Sequence, residues 1–140
     1  MDETIAALAK KLRLTPETRL LTLNAPEDYL TALRAGGFVV SLAPISESDM
    51  YGAVHIFVRD QAEAQAALTS ARAALQPGGV FWMMWPKKTS GVATDLTRDS
   101  LAALALTEGW GPVSNVSVDE TWSALRLRPE AEVKRSGRGG

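Results

Sequence analysis

Apolar residues fall along this chain in two rhythms, and the places where one gives way to the other mark its elements. Ile5, Leu8 and Leu12 recur at helical spacing over residues 2–12, which predicts a surface helix with one buried face. Asp2 and Glu3 stand at its positive end and Lys10, Lys11 and Arg13 at its negative end, the order a helix dipole favours. Thr15-Pro16-Glu17-Thr18 turns the chain into Leu20-Leu21-Thr22-Leu23, a mostly apolar run of the kind a sheet covered on both faces requires. Asn24-Ala25-Pro26 then reads as a helix entry, with Pro26 suited to the first helical position. Tyr29, Leu30 and Leu33 supply that helix's packing face, and Gly36-Gly37 ends it.

The alternation repeats. Phe38-Val39-Val40 predicts a second strand, and residues 41–52, rich in Ser, Pro, Asp and Glu, predict a loop in place of a helical crossover. Residues 53–58 predict a third strand. Asp60 with Glu63 matches a capping box. The helix it opens buries Ala64, Ala67, Leu68, Ala71 and Leu75, small residues for the most part, which permit close approach to a sheet. A Pro77-Gly78-Gly79 turn leads into an apolar run ending at Trp85, a fourth strand buried on both faces. Thr94, Asp95 and Thr97 offer caps for a helix carrying Leu101, Leu104 and Ala105 and closed at Gly109. Residues 113–118 and 122–127 predict two strands joined by Asp119-Glu120-Thr121, hence a hairpin. The fold class that follows is α/β: a Rossmann-like, doubly wound, mostly parallel six-stranded sheet with a C-terminal antiparallel hairpin and helices on both faces. One domain over residues 1–128 is expected, then a disordered tail at 129–140 with almost nothing to bury.

Composition removes several function classes. The 15 basic and 16 acidic residues nearly cancel, so neither nucleic acid nor a membrane is an expected partner. The absence of cysteine excludes disulfides, thiolate metal sites and a cysteine nucleophile. A single histidine, His55, rules out a multi-histidine metal cage. The longest apolar run is strand-length, far short of the ~20 residues of a membrane helix, and no basic region leads into it from the N-terminus. A cytoplasmic protein is the expectation.

Two sets of residues carry a family likeness. The Leu75-x-Pro77-Gly78-Gly79 turn into a strand, with a terminal hairpin ending in Trp122-Ser123-x-Leu125-x-Leu127, resembles the class I S-adenosylmethionine-dependent methyltransferase fold. Trp85-Pro86-Lys87-Lys88-x-Ser90-Gly91-Val92, then Thr94-Asp95-Leu96-Thr97 and Val118-Asp119-Glu120-Thr121-Trp122-Ser123, resemble an uncharacterised bacterial family, domain of unknown function 3052, over residues 9–128. That resemblance implies a Rossmann-like domain and transfers no catalytic residues.

The departures from the methyltransferase pattern concern its cofactor. Those enzymes place glycines after the first strand so that backbone can approach the cofactor; here the stretch reads Asn24-Ala25-Pro26-Glu27-Asp28. Pro26 removes an amide donor, and Glu27 and Asp28 bring negative charge to a helix N-terminus. An acidic residue ending the second strand would hold ribose hydroxyls, yet Val40 leads into Ser41-Leu42-Ala43-Pro44, with Glu47 and Asp49 arriving late. The expectation is a domain with no cofactor, S-adenosylmethionine being weakened by the glycine-free loop without being excluded.

Ligands of doubly wound sheets bind beyond the carboxyl ends of the strands. There, Lys87 and Lys88 with Thr89, Ser90 and the Gly91 amide form a candidate anion site. The rival reading is a solvated loop whose lysines pair with Asp95, Asp119 or Glu120. Trp85 stands close enough to the edge to line a pocket, Arg59 offers a second anion contact, and Asn24 ends the first strand. Asp119, Glu120 and Trp122 either position a base or cation beside an aromatic wall or form a polar turn and a core tryptophan. Asp60 reads as a helix cap. His55, in mid-strand, reads as a packed, hydrogen-bonded histidine, since a catalytic base belongs within reach of substrate. The expected function is a non-catalytic or cryptic domain binding a small anionic molecule or a protein partner at this edge. The alternative is a divergent S-adenosylmethionine-dependent methyltransferase.

Overall fold

Among residues 3–43 and 50–130, which the computed structural model describes, helices and strands alternate through most of the chain. The order is α1 (Glu3–Lys11), β1 (Leu20–Leu23), α2 (Glu27–Ala35), β2 (Val40–Ser41), β3 (Tyr51–Phe57), α3 (Gln61–Ala74), β4 (Leu75–Pro86), α4 (Arg98–Thr107), β5 (Trp110–Ser117) and β6 (Trp122–Pro129). The strands form one six-stranded sheet in the order β2-β1-β3-β4-β6-β5. The first four are mutually parallel, and β6 runs antiparallel to both β4 and β5. From β1 the chain moves outward to β2, then returns to β3 on the other side of β1, so the direction of winding reverses between β1 and β3.

Strand alternation assigns each face its core. Leu21, Val54, Ile56, Phe81, Met83, Leu125 and Leu127 meet the small stripe of α3 and the apolar side of α4. Leu20, Ala53, Phe57, Trp82, Met84 and Ala124 meet Ile5, Ala9 and Leu12 of the α1 segment and Tyr29 and Leu33 of α2. The helix starts are fixed locally. Asp60 Oδ1 accepts the Glu63 amide at 2.8 Å while Glu63 Oε1 accepts the Arg59 amide at 2.8 Å, a capping box whose return bond lands one residue early. Thr97 and Ser100 cap α4 reciprocally, in preference to Thr94 or Asp95.

Several expected boundaries move. Pro26 is the N-cap of α2, one position ahead of the helix. The second strand is only Val40–Ser41; Phe38 is buried in the α1/α2 core, while Val39 is exposed. Pro77-Gly78-Gly79 lies within β4 and does not precede it, because Tyr51 pairs with Leu75 and Ala53 with Val80, which leaves residues 76–79 as a bulge. Gly78 takes φ 77°, a left-handed value that glycine adopts without strain. A Cβ on Gly79 would stand 2.7 Å from Leu75 Cδ1 and 3.1 Å from the Gly52 carbonyl. The hairpin strands run longer than expected, from Trp110 and on to Pro129, and the Glu130 amide still bonds the Gly109 carbonyl at 2.8 Å. Structure therefore continues past residue 128. The tail at 131–140 and residues 44–49, half of the loop expected at 41–52, lie outside the described residues.

Candidate functional site

Five chain segments leave the sheet at its carboxyl edge, those after β1, β2, β3, β4 and β5. At the exit of β1, Asn24 is exposed and takes φ 60°, a left-handed conformation that asparagine tolerates better than most residues. Pro26 (φ −62°, ψ 150°) then starts α2, its carbonyl accepting the Tyr29 amide at 3.1 Å. Glu27 and Asp28 are exposed on the first turn.

At the exit of β3, the Arg59 guanidinium lies 5.5 Å from the centroid of the Trp122 ring, within cation–π range. Thr94 Oγ1 donates to the Arg59 carbonyl at 2.7 Å, tying the segment before α4 to this strand end. At the exit of β4, Trp85 is buried. The Lys87 amide donates to the Thr121 carbonyl at 2.8 Å, and its ammonium donates to Ser117 Oγ at 2.6 Å. A 3-10 turn, Lys88–Ser90, follows, closed by Gly91 at φ 82°. Ser90 Oγ donates to the Lys87 carbonyl at 2.7 Å and accepts the Val92 amide at 3.1 Å. In the hairpin turn, Asp119 Oδ1 accepts the amides of Thr121 and Trp122, both at 2.8 Å.

The candidate residues thus divide. Arg59 and Trp122 come together, and the Lys87 backbone is tied to the 119–122 turn. Lys87 and Ser90 are engaged inside the protein, whereas Lys88, Thr89, Gly91, Glu120 and Asn24 are exposed. Among the described residues no ion pair joins Lys87 or Lys88 to Asp95, Asp119 or Glu120; the hydroxyl of Ser117 takes the Lys87 ammonium instead. Asp60 caps α3 as expected.

Behind Trp122 lies an aromatic stack. Phe57 meets Trp122 edge-on at 4.9 Å, and Tyr29 meets Phe57 at 4.8 Å. The Tyr29 hydroxyl is 2.7 Å from His55 Nδ1. Burial pushes the His55 pKa down to about 3, and burial followed by the Asp119 carboxylate pushes Tyr29 up. Both groups stay neutral at neutral pH, as the packed-histidine reading requires. His55 Nε2 and the hydroxyl of Thr22, its register partner on β1, have no hydrogen-bond partner. A cleft of about 260 Å³ opens beside the stack between α1, α2 and the hairpin, with Leu8, Tyr29, Ala32 and Val118 among its walls together with Asp28 and Asp119.

Sequence reasoning missed Ser117, the Tyr29 hydroxyl and the left-handed exit at Asn24. Only the last had a signal, since asparagine directly after a strand is a residue suited to left-handed backbone. No group of three or more carboxylate or imidazole residues suited to a metal ion occurs among the described residues. No helix among them is long and apolar enough to cross a membrane.

No family model matches the chain, and no curated protein matches it. Solved structures do match its fold. The glycopeptide N-methyltransferase MtfA complexed with sinefungin superposes with a TM-score of 0.57 at 12% identity, over 91% of this chain and 94% of that one. Aeropyrum pernix fibrillarin with natively bound S-adenosyl-L-methionine gives 0.53 at 17% identity, over 88% and 73%. DhpI in complex with SAH gives 0.52 at 18% identity, over 79% and 66%. Likeness at these identities establishes the fold: a Rossmann-like sheet of the class I methyltransferase kind. It also corrects the expectation of a domain with no cofactor, because three proteins sharing this fold were solved with sinefungin, S-adenosyl-L-methionine or SAH in place. The physical ground of that expectation was the missing glycine after β1. Asn24 adopts the left-handed turn without one.

Proposed function

We propose that this chain binds S-adenosylmethionine over the carboxyl ends of β1 and β3 and is a divergent methyltransferase acting on a small anionic acceptor. The observation that carries the reading is the reversal of winding between β1 and β3 with a tight left-handed exit at Asn24, the place where sheets of this kind take their ligands.

The donor set fits the cofactor by charge. S-adenosylmethionine bears a sulfonium, an ammonium and one carboxylate, and is a net monocation at neutral pH. Exposed Glu27 and Asp28 oppose only its carboxylate and attract the rest. Asn24, Glu27 and Asp28 would hold the amino-acid end, and Arg59 and Trp122 would flank the β3 side. When bound, the cofactor supplies a methyl group made electrophilic by positive sulfur. Lys88, Thr89 and the Gly91 amide would orient an anionic acceptor, and the stack of Tyr29, Phe57 and Trp122 would keep water from the inner wall. The motifs at residues 85–92 and 118–123 build this β4 exit and hairpin, and support kinship with the uncharacterised bacterial family they resemble.

Calorimetry with S-adenosylmethionine and SAH tests the proposal. Micromolar affinity is expected, weakened in the Glu27→Lys/Asp28→Lys double variant. Absence of heat at millimolar cofactor would retire the enzyme. Binding without methyl transfer to any anionic acceptor tried would return the protein to the cryptic binding domain.

A further inference from the structure

On the α1/α2 side of the sheet, three arginines meet at the end of α1. Arg126 stands in β6 opposite Trp82 of β4, whose indole Nε1 donates to the Leu12 carbonyl at 2.9 Å. That bond sets the end of α1 over this rung, with Arg13 as the next residue. Arg128, two positions along β6, faces the same side as Arg126 by strand alternation. Exposed Ser114 pairs with Arg126 from β5 and so presents its hydroxyl on that side. Burial, then Arg13 and Arg128, push the Arg126 pKa down, so the guanidinium charges are close enough to repel and no carboxylate offsets them. Arg13 carries a second cost. It follows α1 at φ 57°, with the Leu14 amide on the Ala9 carbonyl at 2.8 Å, a left-handed position that glycine ordinarily fills.

We propose that Arg13, Arg126 and Arg128 form a second binding site, taking a phosphate-class oxyanion. Like charges held together are unfavourable, and strained backbone persists where the side chain it carries is needed. A dianion removes the repulsion, and each guanidinium offers paired N–H donors that match two oxygens of a phosphoryl group. Ser114 adds a hydroxyl. Arg13 is exposed and Arg126 and Arg128 are partly exposed, so the cluster is open to solvent. Arg126 Nε is sealed, and the ligand would meet that side chain at its terminal nitrogens. The site lies toward the amino edge, because β6 begins at the carboxyl edge with Trp122 beside Pro86 and runs away from it.

Inorganic phosphate is the probe, with chloride at matched ionic strength as the baseline. In amide ¹⁵N–¹H spectra of the full chain, the signals of Arg13, Ser114 and Arg126 are expected to move saturably with millimolar phosphate. Arg13→Gly should raise the urea midpoint in the absence of phosphate, since it removes the left-handed cost and one repelling charge. The same variant should weaken phosphate about tenfold, as should Arg126→Met. Undiminished binding by either variant, or shifts no larger than those with chloride, would overturn the proposal. Shifts confined to residues 88–91 would put the anion at the carboxyl edge and overturn it as well. Co-sedimentation with phosphatidylcholine vesicles carrying phosphatidic acid, reversed by free phosphate, would assign the same chemistry to a lipid headgroup; its absence assigns a soluble phosphoryl compound. None of these readouts involves S-adenosylmethionine, so this site and the carboxyl-edge site stand or fall separately.

Discussion

The two faces of the sheet are built from the same strands and differ sharply in content. Toward α3 and α4, the rung through the middle of the sheet reads Leu21, Val54, Phe81 and Leu127, all apolar. Toward α1 and α2, the next rung reads Thr22, His55, Trp82 and Arg126. Each of these four carries a polar group into or beside the core. Trp82 Nε1 donates to the Leu12 carbonyl at 2.9 Å and so ties the α1 segment to the sheet. His55 meets Tyr29, and Thr22 Oγ1, His55 Nε2 and Arg126 Nε have no partners. Burial, then Arg13 and Arg128, push the Arg126 pKa down. One face is a mostly apolar layer, although Tyr51 and Trp110 also bring buried polar atoms into it. The other gives up apolar contact for polar groups and sits directly beneath the helix that starts at the proposed cofactor edge. Strand alternation thus separates a mostly apolar layer from one that carries more polar groups.

The largest test of this contrast is Phe81→Ala on the apolar face. It removes a fully buried ring in contact with Trp110 and should cost about 3–5 kcal/mol in chemical denaturation. A loss below about 1 kcal/mol would show that this face is not the stabilising layer.

Next in size is a pH effect confined to the polar face. His55 is neutral and buried in the folded protein with a pKa near 3, below the ordinary 6.5, so in the window between them the unfolded chain binds a proton that the folded chain does not. Stability from this group is complete above the unfolded pKa and falls as pH drops toward the folded one. Between pH 7 and pH 5 the loss should approach about 2 kcal/mol. Urea titrations across that window should show the slope in wild type and a flatter one in His55→Gln. Equal slopes would mean that His55 is hydrated or charged in the native state.

The smallest expected effect is that of Thr22→Val. The hydroxyl is buried without a partner, so replacing it by a methyl of similar shape should be neutral or stabilising, by up to about 1 kcal/mol. Destabilisation of more than about 1 kcal/mol would place an ordered water between Thr22 and His55 and make the polar face better satisfied than its side chains alone suggest.

Much of the fold was legible in the residues because periodicity is a local property. Ile5, Leu8 and Leu12, the alanine stripe of α3 and the apolar run ending at Trp85 each announce their element and its buried side within a few residues. The Asp60 and Thr97 caps were readable for the same reason. Boundaries failed where distant contacts decided them. Pro77-Gly78-Gly79 looks like a turn in isolation and becomes a bulge only because Tyr51 pairs with Leu75. At the candidate site, Lys87 was visible as a cation, but its partner Ser117 lies 30 residues away. The glycine-free exit from β1 looked unfavourable to a cofactor, without excluding one, because the composition of a loop does not reveal its backbone angles.

By itself, the sequence determined the order of the elements, the face each one buries and the absence of cysteine and histidine-rich metal chemistry. Those follow from residue type and from periods of two and 3.6, which act over neighbours in the chain. Only the tertiary structure decided where the winding reverses, that Asn24 turns left-handed there, and that Arg59 comes over Trp122. It alone showed that Tyr29 meets His55 across 26 residues and Trp82 meets Leu12 across 70. The reason is physical: such pairings are selected by the joint packing of strands and helices far apart in sequence, and no local preference encodes a partner that only the folded sheet brings near.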